Sequence, residues 1–597
     1  MRLTIHLLGS PRIERDGAAL PSPRGHKIWA LLAYLLLSRV PVGRPHLAAL
    51  LFADAQDPLG ALRWNLSQLR KLLGDSRISG DKLTLGLEPG AWVDLWALSE
   101  GPALEAVDVP GIGRDLLEGI SFPSSPAFDI WLASERMRLH GLGRAVLREA
   151  ALQHLAGGAP GSAVQLAGRL VALEPLDENF QALLVRSLAA SGDAEAAERQ
   201  VQACRDLFNR QLGTVPGPAL EASLRAATAA PLAPRISSRA AALAHLESGQ
   251  AAVTAGALPA GLEQLRRAVA EADAYGDRAL RARTRVALGG ALVHSARGHD
   301  EEGAPLLHEA LALAEQASPA DAAAACRELA YIEFLRARYD RALVWLDRAD
   351  PLAAQDPAER LRISSLRGCV LSDTAHYSEA LAQLRQALDG ARDLGDERQA
   401  AYLQCVIGRI LLLREDLGGA AQELEASEGA ARRLWTALLP WPQAMLAEVD
   451  LLEGRVARAA DRLQQAFALG CQLGDPCWEG IAGRGLGRVA ELEGDLDRSV
   501  GILVDAVGRS VRLADGYLWG KAYALDSLCG VAVKAQRPEA AKWIDELQEL
   551  AGLHGMREMS VRSQLHRARL GDDVGTMAAR QLALQIDNPS LHRLARS

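Results

Sequence analysis

One small residue returns at nearly even intervals through the C-terminal half of the chain: Ala304, Ala342, Ala380, Ala420, Ala459, Ser499 and Ala540. The successive spacings are 38, 38, 40, 39, 40 and 41, and the surrounding stretches RYDRALVWL, HYSEALAQL, REDLGGAAQEL and GDLDRSVGIL share one pattern. A period of this length marks a helical hairpin that cannot bury its apolar face alone and must stack on its neighbours. The small residues are expected at the turn between the two helices of each hairpin. Seven or eight hairpins therefore stack between about residues 240 and 570.

A chain of 597 residues is too long for one hydrophobic core. Its wealth of Ala, Leu, Arg, Glu and Gly, with only 4% aromatic residues, favours helices. From Phe128 to Ala227 the reading is helical throughout, with a shorter repeat. Gly158 and Gly192 stand 34 residues apart and precede APGSAVQLAGRLVALEP and DAEAAERQVQACRDLF, which is the tetratricopeptide period. The segment AAPLAPRISS, with Pro231 and Pro234, breaks the pattern and reads as a linker. The change of period on either side of it marks a domain boundary. The last stretch, MAARQLALQIDNPSLHRLARS, lacks the repeat and reads as a cap or tail.

The first hundred residues mix two periods. RLTIHLLG and PRIERDG alternate at period two and predict a small sheet, whereas residues 24–39 and 44–52 predict helices. A third helix is expected from Pro58 to Leu73, stopped by Gly74, and RISGDKLTL (77–85) predicts a hairpin turning at Gly80-Asp81. Strands, three helices and a hairpin are the order of a winged helix. Leu59, Leu62, Leu66, Leu69 and Leu73 recur at spacings of 3 and 4 and should form one stripe docked on the Ile28–Leu37 helix. The rest of the third helix carries Arg63, Asn65, Ser67, Gln68, Arg70 and Lys71, and the hairpin adds Arg77 and Lys82. Arg and the amides can read base edges in a major groove, while Lys, Arg and hydroxyls position phosphates. These eight residues are the candidate DNA-binding set. Trp64 is expected to pack against the hairpin rather than to face DNA. Charge points the same way: residues 1–95 hold twelve basic and eight acidic side chains, a balance of +4, while the remainder carries −12 of the total −8.

The run LLGSPRIERDGAALPSPRGHKIWALLAYLLLSRVPVGRPHLAALLFADAQDPLGALRWNLSQLRKLLGD resembles the OmpR-type winged helix of the antibiotic-regulatory-protein class of bacterial transcriptional activators. The stretches WLASERMRLH, LEPLDENFQALLVRSLAASGDAEAA and LFNRQLGTVPGPALEASL resemble the bacterial transcriptional activator domain that follows it in that family. Together the two resemblances cover about residues 1–228. They imply promoter binding, dimerisation on DNA and contact with RNA polymerase. Two departures stand out: DKLTLGLEPGAWVDL replaces the family's Gly-Tyr-Arg-Leu-like final wing strand, and no nucleotide-binding module is visible. Gly520 and Lys521 do not complete a phosphate-binding loop, because Gly516 is too close and Ala522 stands where a hydroxyl residue belongs.

Nothing in the sequence points to an enzyme: HExxH, GxSxG and strand-to-helix GxGxxG patterns are missing. The seven cysteines are scattered without metal-ligand spacing and read as buried free thiols, so neither metal nor cofactor is expected. No signal peptide or membrane span is visible, which predicts a cytoplasmic protein with no membrane partner. The expected fold is mostly α: an α+β winged helix over 1–98, a tetratricopeptide-like activator domain over 120–228, a linker at 229–239, a helical-repeat solenoid over 240–575, and a cap or tail at 576–597. The expected function is a DNA-binding transcriptional regulator, an activator by resemblance, acting on double-stranded promoter DNA. Its repeat array would bind a protein or small-molecule effector. The alternative is a helical-repeat scaffold whose winged helix makes protein contacts only. The array's Trp345, Trp435, Trp441, Trp478, Trp519 and Trp543 are expected to pack rather than to form a ligand cage.

Overall fold

The periodic region folds, in the computed structural model, as consecutive helix pairs. They are Arg239–Thr254 with Leu258–Tyr275, Arg278–His294 with Asp300–Ala314, Pro319–Leu335 with Tyr339–Leu352, and Pro357–Asp373 with Tyr377–Asp393. Then come Glu397–Leu413 with Leu417–Leu434, Pro440–Leu452 with Val456–Leu473, Pro476–Leu492 with Leu496–Ser510, and Leu518–Lys534 with Ala540–Leu553. Arg557–Arg569 and the short Pro589–Leu594 follow. The structure describes residues 2–23, 25–38, 41–74, 77–79, 82–217, 220, 223–224, 238–295, 298–315, 317–513, 516–571, 579–580, 582–584 and 586–596. The expected linker, up to residue 237, and the start of the expected cap, residues 576–578, lie outside the described residues.

The recurring small residues do not sit in the turns. Ala342, Ala380, Ala420, Ala459, Ser499 and Ala540 open the second helix of their pairs and are buried. There the two helices cross closely, and the first helix often answers with glycine. A Cβ added at Gly408 would stand 2.5 Å from Leu424 and 3.4 Å from the Ala420 carbonyl oxygen. At Gly368 it would meet Leu384 at 2.5 Å, and at Gly487 it would meet Leu503 at 2.6 Å. The leucine one turn beyond the small residue thus closes over a bare backbone. In the second pair this role falls to Gly303 rather than Ala304: its Cβ would lie 3.3 Å from the Gly289 carbonyl oxygen. Gly261, set 3.1 Å from the Gly249 carbonyl oxygen in the same sense, extends the row to the first pair.

The turns carry a different mark. Each has a residue of positive φ: Gly256, Gly298, Ala337, Ala375, Glu415, Gly454, Gly494 and Gln536. The four that are not glycine hold a Cβ against the following carbonyl, a cost of about 1–2 kcal/mol each.

Later pairs of the array return to earlier ones. Arg409, 2% exposed, donates to Asp373 Oδ1 at 2.7 Å, to Ser372 Oγ at 2.7 Å and to the Tyr517 hydroxyl at 2.9 Å. Tyr517 donates in turn to Asp373 Oδ2 at 2.6 Å, and its ring packs on Phe334. The Arg409 guanidinium lies over Trp519, 4.3 Å from its ring centre. Burial pushes the Asp373 carboxyl upward, against the pull of Arg409 and of the Tyr517 and Tyr339 hydroxyls, the latter donating to Oδ2 at 3.3 Å. Farther along, Tyr377 donates to Glu558 at 2.7 Å, and Asn588 donates to Glu558 at 3.0 Å and to the Leu413 carbonyl at 3.3 Å. Trp345, Trp441 and Trp519 are buried, and Trp441 stacks on Trp478. Six of the seven cysteines are buried and Cys471 is exposed.

The N-terminal residues form two small sheets around three helices. Leu3–His6 pairs antiparallel with Arg12–Arg15 (Ile5 opposite Ile13) and parallel with Trp92–Val93 (Ile5 opposite Val93), while Ala18–Ala19 edges the sheet. Helices His26–Leu37, Arg44–Phe52 and Pro58–Leu73 follow, and Val42–Gly43, Lys82–Gly86 and Arg77–Ser79 make the second sheet. The DKLTLGLEPGAWVDL stretch is shared between them: its first half is a wing strand, while Trp92–Val93 crosses back to the leading sheet. The buried Asp94 fixes that crossing by accepting from the Leu7, Leu8 and Leu95 amides at 2.6, 2.7 and 2.8 Å. Burial pushes its carboxyl up to about 6 even so.

Beyond Asp94–Glu100 and Ala103–Ala106 lie Pro126–Ala156, Pro160–Leu173, Glu178–Ala190 and Ala194–Leu212. The 31-residue helix Pro126–Ala156 serves two packings. Its start docks on the winged helix: Ser125, just before it, donates to the Leu51 carbonyl at 2.9 Å, Trp131 meets Tyr34 at 4.8 Å between ring centres, and Arg136 donates to the Leu116 and Leu117 carbonyls. Its end begins the shorter repeat, whose turns hold Gly158 and Gly192 at positive φ. No helix among the described residues is long and apolar enough to cross a membrane.

The chain divides into two compact units, Met1–Ala229 and Ala230–Ser597. A fragment ending at Ala229 should fold alone, because each unit buries its own core. A cooperative thermal transition with native helix content is the expected outcome, and a fragment lacking one would show that the first unit depends on the second. In the second unit, Gln536→Gly should raise stability by about 1 kcal/mol by relieving the left-handed turn. An unchanged or lower unfolding midpoint would show that the turn carries no strain.

Candidate nucleic-acid interface

The third helix, Pro58–Leu73, is bounded by its own sequence. Asp57 caps it by accepting from the Gly60 amide at 2.8 Å, Pro58 fills the first turn, and Gly74 ends it at φ 63°. Leu62, Leu66, Leu69 and Leu73 are buried and anchor one side. Leu59 does not join them. It is 44% exposed, in the first turn of the helix.

The opposite side presents Arg63, Ser67 and Lys71 to solvent, with Gln68 half-buried at the edge. These lie on one face, as the 100° advance per residue requires. Arg63 reaches back to the capping Asp57 at 3.4 Å, a loose and exposed pairing that leaves its guanidinium available. Asn65 falls on the other side: it is 7% exposed and donates from Nδ2 to the Ala61 carbonyl at 2.9 Å within its own helix. Its amide is spent locally. Trp64 is the reverse case. Expected to pack against the hairpin, it is 53% exposed and stands among Arg63, Ser67 and Lys71. Apolar contact is one way a helix recognises a thymine methyl, so Trp64 joins the candidate face on exposure that periodicity alone did not reveal.

Arg70 occupies a seam. Its Nη2 donates to the Ile78 carbonyl at 3.0 Å, tying the last turn of the helix to the first wing strand. The wing pairs Ile78 with Leu85 and Ser79 with Thr84, and Val42 opposite Leu83 joins it to the body. Lys82 and Thr84 are exposed on its outer face, while Leu83 between them is buried. The turn residues Gly80 and Asp81, and the Arg77 side chain, lie outside the described residues. The structure thus brings Arg63, Ser67, Gln68 and Lys71 onto one face, sets Lys82 on the wing and Arg70 between helix and wing, and turns Asn65 inward.

Directly behind this body, residues 96–227 match the family described as the bacterial transcriptional activator domain. The chain carries a bacterial transcriptional activator domain. No curated protein matches the chain. Among solved structures, Mycobacterium tuberculosis EmbR in complex with a low-affinity phosphopeptide is similar at 19% identity and a TM-score of 0.30 over 38% of this chain; the match spans 65% of that protein. NprR in complex with its cognate peptide NprX is similar at 12% identity and a TM-score of 0.36, over 53% of this chain and 97% of that one. Yeast Tom70 is similar at 12% identity and a TM-score of 0.32, over 69% of this chain and 95% of that one. The activator domain takes in Pro126–Ala156, the helix on which the first two helices of the winged body dock through Tyr34 and Leu51.

The Arg70 seam is testable. Arg70→Ala should cost about 1 kcal/mol and speed amide exchange in the wing strands several-fold, because the Ile78 carbonyl loses its donor from the helix. Exchange rates equal to those of the parent protein would remove Arg70 as the link between helix and wing.

Proposed function

We propose that the protein is a transcriptional regulator that reads promoter DNA with the helix Pro58–Leu73 and regulates through its repeat array. The observation that carries this reading is the solvent-facing row of Arg63, Trp64, Ser67 and Lys71 on the third helix of a winged body that is followed directly by an activator domain. An α-helix fits a major groove. Arg63 and Gln68 supply forked and amide donors for base edges, Trp64 supplies an apolar surface, and Lys71 and Lys82 supply point charges for phosphates. The net-positive N-terminal segment draws the face toward the polyanion, while the acidic remainder is held off it. A second copy bound to a neighbouring half-site and contact with RNA polymerase complete the reading. In the same reading the second unit is the sensing part, and an occupant of the array alters promoter affinity by a coupling that is reciprocal.

The test separates base readout from phosphate contact. Arg63→Ala and Gln68→Ala should each cost about 1–3 kcal/mol on the specific site and relax its preference there, while Lys71→Ala and Lys82→Ala should weaken all sequences alike and lower the salt slope by about one. Fluorescence anisotropy with promoter and scrambled duplexes over a range of salt gives both numbers. If all four variants bind as the parent does at every salt concentration, the winged helix serves protein contacts instead.

A further inference from the structure

The second unit holds a cleft of about 550 Å³, open to solvent on one side and lined by the later hairpins, by Arg557–Arg569 and by the C-terminal helix Pro589–Leu594. That size suits a small organic molecule rather than a folded partner. Most carboxylates around it are committed. Glu448 is held by Arg484 at 2.8 Å, Asp526 by His566 at 2.8 Å and Arg562 at 3.4 Å, and Glu415 by Ser590 and Arg593. The cations are less well matched. Arg488 and Lys534 share the single carboxylate of Glu491, at 3.0 and 3.4 Å, and Arg569 has no partner among the described residues. Within the same lining, Arg484 is 5% exposed, and its Nε and the buried Ser527 hydroxyl find no hydrogen-bond partner among the described residues. Leu412, Leu452, Val531 and Leu594 give the cavity an apolar wall.

Surplus cationic donors beside an apolar wall select one kind of occupant. We propose that this cavity binds an amphipathic organic anion, with its carboxylate or phosphate headgroup on Arg488, Lys534 and Arg569 and its apolar body against Leu412, Leu452, Val531 and Leu594. The bound anion supplies the acceptors that Glu491 alone cannot. Two residues of the wall, Ser590 and Leu594, belong to the C-terminal helix, which Asn588 ties to Glu558 and Leu413. Occupancy therefore bears on how that helix seats against the array. Only the consequence for promoter binding rests on the sensing role proposed above; binding itself does not.

The probe is 1-anilinonaphthalene-8-sulfonate, an amphipathic anion whose fluorescence rises on leaving water, titrated into the full-length chain. Saturable one-site binding is expected. The variant Lys534→Ala/Arg569→Ala changes two exposed side chains and should weaken binding by at least about tenfold with an unchanged melting temperature, since each lost charged hydrogen bond is worth about that much. Arg569→Glu alone should weaken it in the same direction. Equal affinity in all three proteins, or fluorescence that never saturates, would overturn the site. Displacement by octanoate or by octyl phosphate identifies the headgroup, whereas equal displacement by neutral octanol would overturn its anionic character. Promoter binding measured on the same samples keeps the two ideas apart: an intact anion site that leaves DNA affinity untouched rejects the sensing role and retains the site.

Discussion

Two helices can approach only as closely as the side chains at their crossing allow, and this limit organises the whole C-terminal unit. At Gly368, Gly408 and Gly487 the first helix of a pair offers bare backbone, the second brings Ala380, Ala420 or Ser499 to the crossing, and a leucine one turn on seals it. A Cβ at any of these glycines would push that leucine away by a contact no closer packing could absorb. The crossing recurs with the repeat, and the stacked pairs bring Tyr517 to Asp373 and Asn588 to Leu413.

Those returns explain why charge is buried in a fold whose repeats could manage without it. Arg409 and Asp373 are deep in the array, and a lone buried charge would be strongly unfavourable. Here each is bound from two sides: by neighbours in adjacent pairs and by Tyr517 from a later one, with Trp519 covering the guanidinium. Tyr377 and Asn588 converge on Glu558 in the same way. Polar groups of this kind hold a register that apolar packing alone would leave free to slip. They also leave the neighbouring cavity lined with cations whose carboxylates are already engaged.

The N-terminal unit works by bracing rather than by stacking. Asp94 pins the leading sheet, and the helix Pro126–Ala156 supports the winged body through Ser125, Trp131 and Arg136 while its far end belongs to the activator domain. One helix of 31 residues thus joins the packing of the first hundred residues to that of the shorter repeat.

Much of this was legible in local periodicity. The helix Pro58–Leu73, its Asp57 and Gly74 ends, the buried run of Leu62, Leu66, Leu69 and Leu73, and the exposed row of Arg63, Ser67 and Lys71 follow from residues within a few turns of one another. The same holds for the hairpin period of the array. What periodicity could not decide were matters of neighbouring surface: that Leu59 is exposed, that Asn65 is turned inward, that Trp64 is exposed, and that Arg70 is tied to the Ile78 carbonyl. Nor could it separate a small residue needed for a turn from one needed for a helix crossing, since both recur once per hairpin. Residues as distant as Arg409 and Tyr517, or Tyr377 and Glu558, share no repeat that would announce their meeting. The sequence by itself determined the helices and the face each one buries, because hydrophobic spacing is read along a single helix. Only the tertiary structure decided which charges meet inside the array and what cavity they leave, because those contacts join residues more than a hundred positions apart in the chain.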